Sequence, residues 1–121
     1  MEKKEKGNLG EEIAAELYRR QGCRILERNY SCRLGEIDLI AEDRGVLVFA
    51  EVKLRKNARF AEAREFVDRN KQRRILNTAR YYMMKTGSEQ QARFDVVEVY
   101  MDPENRKAPV VNHIPDAFQQ E

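Results

Sequence analysis

Histidine is almost missing from this chain: His113 is the only one in 121 residues. A zinc centre built from several histidines is therefore excluded. Cysteine is nearly as scarce. Cys23 and Cys32 are too few for a disulfide framework, and their spacing matches no metal motif. No apolar run is long enough to cross a bilayer as a helix. The opening "MEKKEKGNLGEE" lacks the apolar centre of a signal peptide. A reduced, cytoplasmic setting with no membrane partner is the expectation. Net charge is only +2, so the total names no partner. Internal repeats, low-complexity tracts and interdomain linkers are also missing.

What is present suits one domain over residues 1–121, with 1–6 frayed. Hydrophobic residues make up 41%, enough to bury a core, and charged residues 36%, well above the usual ~25%. The charge is unevenly placed. From Lys53 to Lys85 eleven bases face only Glu62, Glu65 and Asp68. A local basic field on a near-neutral protein suits a polyanion, although a solvated basic helix gives the same count.

Periodicity predicts an element order. "NLGEEIAAELYRRQG" reads as a helix with Asn8 as N-cap, Gly22 as stop, and Leu9, Ile13 and Leu17 as its apolar stripe. Strands follow in "CRILERNY", "EIDLIAED" and "VLVFAEVKL", the last two joined by a tight turn at Arg44-Gly45. A long helix is expected from Glu62 to Lys85, ended by Gly87. Val67, Ile75, Ala79 and Tyr82 lie along one side, and Arg69, Arg73 and Arg80 nearly opposite. Lys71 falls on the inward stripe, where it either reaches a site or snorkels outward. "ARFDVVEVYM" is a fourth strand and "VVNHI" a short fifth. Short turns make the first three strands a meander, and the helical crossover lets the fourth pair in parallel. The class is α/β, a mixed central sheet flanked by helices.

Charges sit inside strands that otherwise want apolar residues: Glu36, Asp38, Glu51 and Lys53. A two-residue turn at Arg44-Gly45 sets Asp38 opposite Glu51 and Glu36 opposite Lys53, with directly opposed Cβ atoms ~4.5–5.5 Å apart. Two carboxylates that close repel unless a cation separates them. Mg²⁺ or Mn²⁺ would do so, with the Val52 carbonyl as a further oxygen ligand. A lysine on the same face can position water or neutralise charge on a phosphate. The bland alternative is a Glu36–Lys53 surface pair worth ~0.2–1 kcal/mol beside an exposed Asp38. Leu47 and Phe49 share the face of Glu51 and Lys53. That face begins apolar and ends charged, as a cleft does.

"GNLGEEIAAELYRRQGCRILERNY", "GEIDLIA", "LVFAEVKLR" and "RFDVVEV" together resemble the YraN family of small bacterial proteins. That family is similar to the archaeal Holliday-junction resolvases, within the restriction-endonuclease-like superfamily named for a PD-(D/E)XK motif. The resemblance implies a restriction-endonuclease-like αβββαβ core. It matches Asp38 to the first acid, Glu51, Val52 and Lys53 to E-X-K, and Glu11 to the N-terminal helix acid, with Glu12 as its neighbour. Ile37 stands where the motif's name has proline. Leu54 replaces a common threonine, and Ala61 an expected glycine.

The expected function is that of a metal-dependent DNA endonuclease hydrolysing phosphodiester bonds, with branched DNA as one substrate class. Arg55, Lys56, Arg69, Lys71, Arg73 and Arg80 would contact phosphates without reading sequence. A homodimer is open, since two cuts on a symmetric junction need two sites. Two further readings stay open: a nucleic-acid-binding module without catalysis, and an interaction protein whose acids form only surface pairs.

Overall fold

The computed structural model describes residues 3–55, 68–101 and 108–119. The elements run α1 (Lys3–Arg20), β1 (Arg24–Cys32), β2 (Gly35–Asp43), β3 (Val46–Arg55), α2 (Arg69–Thr86), β4 (Gln91–Tyr100) and β5 (Val110–Phe118). The strands form one sheet in the order β1-β2-β3-β4-β5. β3 and β4 are parallel and the other neighbours antiparallel. This is a mixed α/β architecture with an αβββαβ core, as the periodicity predicted.

The β2–β3 hairpin shows how sequence sets register. Arg44 and Gly45 both take positive φ, 51° and 87°. That is the pattern of a two-residue turn whose twist matches its strands. The register follows as predicted, from Asp43 opposite Val46 to Leu39 opposite Ala50. Side-chain alternation then sorts the core into two layers. Leu39, Ala41, Val48, Ala50, Val97 and Val99 pack against Ala14, Ala15 and Tyr18 of α1. Ile40, Leu47, Phe49, Phe94 and Val96 pack against Ile75 and Ala79 of α2. Stacked rings at 5.5 and 5.4 Å run from Phe49 through Phe94 to Phe118. Burying side chains of this size contributes ~1.5–3 kcal/mol each.

Helix boundaries depart from the sequence expectation. α1 begins at Lys3, so Asn8 lies inside the helix and is no cap, and residues 3–6 belong to it. Helix propagation through "KKEK" needs only good helix formers, which lysine and glutamate are. α2 begins after Asp68, whose extended backbone and carboxylate, accepting the Lys71 N–H at 2.8 Å, cap it. The expected helical residues 62–67 precede that cap and, with Val67, lie outside the described residues. Gly87 ends α2 in the left-handed region, as expected.

β5 continues four residues past the expected end at Ile114. Pro115 is tolerated because β5 is an edge strand, where a missing N–H breaks no ladder bond on the open side. A bulge follows, with Asp116 at φ 53° donating its amide to Asp95 Oδ1 at 2.9 Å. Among the described residues no helix is long and apolar enough to cross a membrane.

Candidate active site

The β2–β3 ladder ends at Leu39 opposite Ala50. Past that point the start of β2 pairs with β1, Ile37 opposite Tyr30 and Glu36 opposite Ser31. β3 meanwhile runs on beside β4 to Arg55. The two strands part at Asp38 and Glu51, one residue beyond the last pair. A backbone N–H at the end of a ladder needs another acceptor. Asp38 supplies it: its Oδ2 accepts the Val52 N–H at 2.7 Å.

Asp38 and Glu51 do converge, and burial makes their meeting costly. Glu51 is only 7% exposed. Burial pushes the Asp38 carboxyl up to about 7; the Glu51 charge adds to this, the Val52 N–H opposes it, and Glu11 adds a little more. Two acids and a third nearby thus crowd one sheet end. Glu11 comes from α1, which approaches β3 closely because residue 10 is glycine. A Cβ there would sit 3.3 Å from Leu54 Cδ1 and 3.8 Å from Val52 Cγ1. Among the described residues, Glu11 Oε2 is buried without a hydrogen-bond partner. Glu12, its neighbour, points elsewhere. It is exposed and pairs with Arg19 at 3.2 Å and Arg28 at 2.6 Å.

Two lysines complete the cluster. Lys71, from the first turn of α2, places its ammonium against Glu51 Oε1. It reaches the acid, so it does not snorkel outward past Ile75. Burial works against its charge, but the hydrogen bond and charge of Glu51 outweigh that and hold the ammonium above the ordinary lysine range. Lys53 is shifted the other way, by burial first and then by Lys71, with Glu51 opposing. The expected Glu36–Lys53 pairing is therefore replaced. Glu36 is exposed against β1, and Lys53 belongs to the Glu51–Lys71 group.

The basic residues divide. Arg69, Arg73 and Arg80 are exposed along α2. Arg55 is turned to the buried Glu98, its Nε 3.3 Å from Oε2, while Asn112 donates to Oε1 at 2.9 Å. Lys56 lies outside the described residues.

A second charged cluster went unpredicted. Buried Asp95 accepts from Tyr18 Oη at 2.7 Å, from Arg93 Nε and Nη2 at 3.0 and 3.1 Å, and meets His113 Nε2 at 2.9 Å. Burial alone would raise its pKa, but these bonds and the Asp116 amide outweigh it and hold the group at about 2. It ties α1, β4 and β5 together. The one available signal was an aspartate within "RFDVVEV". A shallow depression of about 330 Å³ lies apart from both clusters, lined among others by Arg24, Glu42, Tyr82 and Gln90.

The oxygen-only donor set of Glu11, Asp38 and Glu51 suits a hard divalent cation. The partnerless buried oxygen of Glu11 and the crowding of Asp38 by two acids are what such an ion would relieve. As the side chains stand, no three His, Cys, Asp or Glu residues among those described form a group that could hold a metal. Glu51 faces Lys71 in that arrangement.

Residues 10–99 match the model of the uncharacterised protein family UPF0102. A UPF0102 protein of Caldanaerobacter subterraneus is 44% identical over 117 residues, covering 96% of each chain. One from Caldicellulosiruptor saccharolyticus is 41% identical, covering 98% of this chain and all of the other. One from Symbiobacterium thermophilum is 50% identical over 101 residues, 83% of this chain and 86% of the other.

Proposed function

Since the chain belongs to the YraN-like family UPF0102, whose name carries no activity, we propose a function from its own site: metal-dependent hydrolysis of DNA phosphodiester bonds. The observation that carries this reading is the fork at the end of the β2–β3 ladder. There Asp38 and Glu51 are forced together beside the buried, partnerless Glu11 oxygen and two lysines. A merely solvated ion-pair face would not bury Glu51 or leave that oxygen without a partner.

Glu11, Asp38 and Glu51 would hold Mg²⁺ or Mn²⁺, with the Val52 carbonyl as a further oxygen. Bound there, the ion supplies Lewis acidity and a lower pKa for water. The protein's own residues do the rest. The Val52 N–H fixes the Asp38 carboxylate by a short charge-assisted bond. Lys53, kept partly desolvated, is suited to orient water and to offset charge growing on a phosphate. Arg69, Arg73 and Arg80 offer exposed positive charge to the backbone of the nucleic acid. The likeness of the motif to Holliday-junction resolvases makes branched DNA the substrate class to try first, with a second copy of the chain supplying the second cut.

The test is incubation of junction, flap and linear duplex DNA with Mn²⁺, beside an Asp38→Ala control. Metal-dependent cleavage that disappears in the control is expected. Cleavage surviving the substitution assigns the activity elsewhere. Salt-dependent binding without cleavage in any metal leaves a non-catalytic nucleic-acid-binding module.

A further inference from the structure

Glu51 has a cation already, and it comes from the chain itself. The Lys71 ammonium sits against Oε1, in the space beside Asp38 where the reading above needs a metal. We infer that Lys71 is an exchangeable internal counter-ion: it neutralises Glu51 in the metal-free protein, yields that carboxylate to the divalent cation, and is then free for a substrate phosphate. This rests on the metal-dependent reading proposed above.

Three observations support an exchange. First, the partners differ in their access to water. The Lys71 side chain is 37% exposed and that of Glu51 only 8%. The lysine has a path out and the acid has none. Second, the Lys71 backbone is anchored independently of its ammonium. Its N–H is held by the Asp68 carboxylate at the N-cap, so a swing needs only rotation of four methylenes and no movement of α2. Third, the charges are mismatched as they stand. Lys53 and Lys71 share Glu51, and the Lys71 ammonium makes the Lys53 charge more costly. Glu11 Oε2 meanwhile has no hydrogen-bond partner among the described residues. A divalent ion among the three acids would satisfy Glu11 and release one lysine.

Mn²⁺ titration calorimetry on the full chain, with wild type, Lys71→Met and Asp38→Ala, tests this. An ion that must first displace a lysine binds with reduced apparent affinity, so Lys71→Met should bind Mn²⁺ about tenfold more tightly. Asp38→Ala should lose binding. Equal or weaker binding by a folded Lys71→Met overturns the counter-ion inference and leaves the metal site standing. Absence of Mn²⁺ binding in both wild type and Lys71→Met overturns the metal site and the inference with it. A second measurement needs no variant: lysine acetylation of the wild type, read by peptide mass spectrometry. Adding Mn²⁺ should raise Lys71 labelling several-fold while exposed Lys85 stays constant. Labelling of Lys71 that is unchanged or reduced by the metal overturns the inference.

Discussion

The Asp38 carboxylate accepts the Val52 N–H at 2.7 Å, so an acid of β2 is locked by the backbone of β3 at the point where their ladder ends. The bond fixes the acid's position, but burial and Glu51 still make its charge costly. Its folded-state pKa, about 7, lies above the ordinary 3.8. Between those values the folded protein holds more protons than the unfolded chain. Metal-free stability therefore declines as pH rises from about 4 to about 7, by up to ~4 kcal/mol. Asp38→Asn should lack this decline and match or exceed the wild type at pH 8. Urea denaturation in a chelator at pH 5 and pH 8 measures it. An unchanged wild-type-minus-variant difference between the two pH values rejects it.

Glu11 and Glu12 are adjacent acids with opposite fates, one with a buried oxygen and one exposed to Arg19 and Arg28. Glu11→Gln should abolish Mn²⁺-dependent cleavage, whereas Glu12→Gln should leave it within a factor of about two, as for surface pairs generally. Parallel cleavage assays on the two variants decide. Similar losses in both would remove Glu11 from the site.

Asp95 gives the opposite pH behaviour from Asp38. Its folded pKa, near 2, lies below the ordinary 3.8. It therefore contributes about 2 kcal/mol at neutral pH that is lost as pH falls from about 4 through 2. Asp95→Asn also leaves Arg93 with Asp43 as its charged partner, and should cost ~3 kcal/mol at pH 7. The variant's acid unfolding curve should be flatter than the wild type's in that window.

Gly35 lies at φ 152°, and a Cβ there would stand 2.9 Å from Thr78 Oγ1 and 3.6 Å from the Arg74 carbonyl oxygen. Thr78 is held in place by donating to that same carbonyl at 2.8 Å. Gly35→Ala should cost ~2 kcal/mol through backbone strain and crowding of α2. Chemical denaturation measures this, and a stability change near zero would mean that the β1–β2 turn shifts freely.

Arg69, Arg73 and Arg80 form the exposed basic side of α2. If they contact phosphates, each Arg→Ala change should weaken binding to all DNA sequences alike and lower the log–log salt slope by about 1. Fluorescence anisotropy between low and moderate salt reads both. Unchanged slopes would confine these arginines to solvating the helix.

The hairpin "GEIDLIAEDRGVLVFAEVKLR" was legible because local rules govern it: an Arg-Gly turn fixes register, and period-two alternation fixes faces. The parallel β3–β4 pairing followed from the helical crossover in the same way. Helix starts were less legible. Asn8 looked like a cap, yet nothing in "KKEK" stops the helix, and Asp68 capped α2 where the sequence suggested continuation. β5 outran its pattern, and Asp95 of the adjacent β4 accepts the Asp116 amide in the extension.

Local spacing determined that Asp38, Glu51 and Lys53 would gather near one sheet end, because pleat and register are short-range properties. Only the tertiary structure decided which charges they answer to. The ladder parts at Asp38, so Glu36 goes to β1 and Lys53 to Glu51 and Lys71. α1 brings Glu11 from 40 residues before Glu51, and α2 brings Lys71 from 20 residues after it. Charges that distant in sequence meet only when helices dock on opposite faces of the sheet. That docking is set by two buried layers, and no local pattern encodes where their polar edges will face each other.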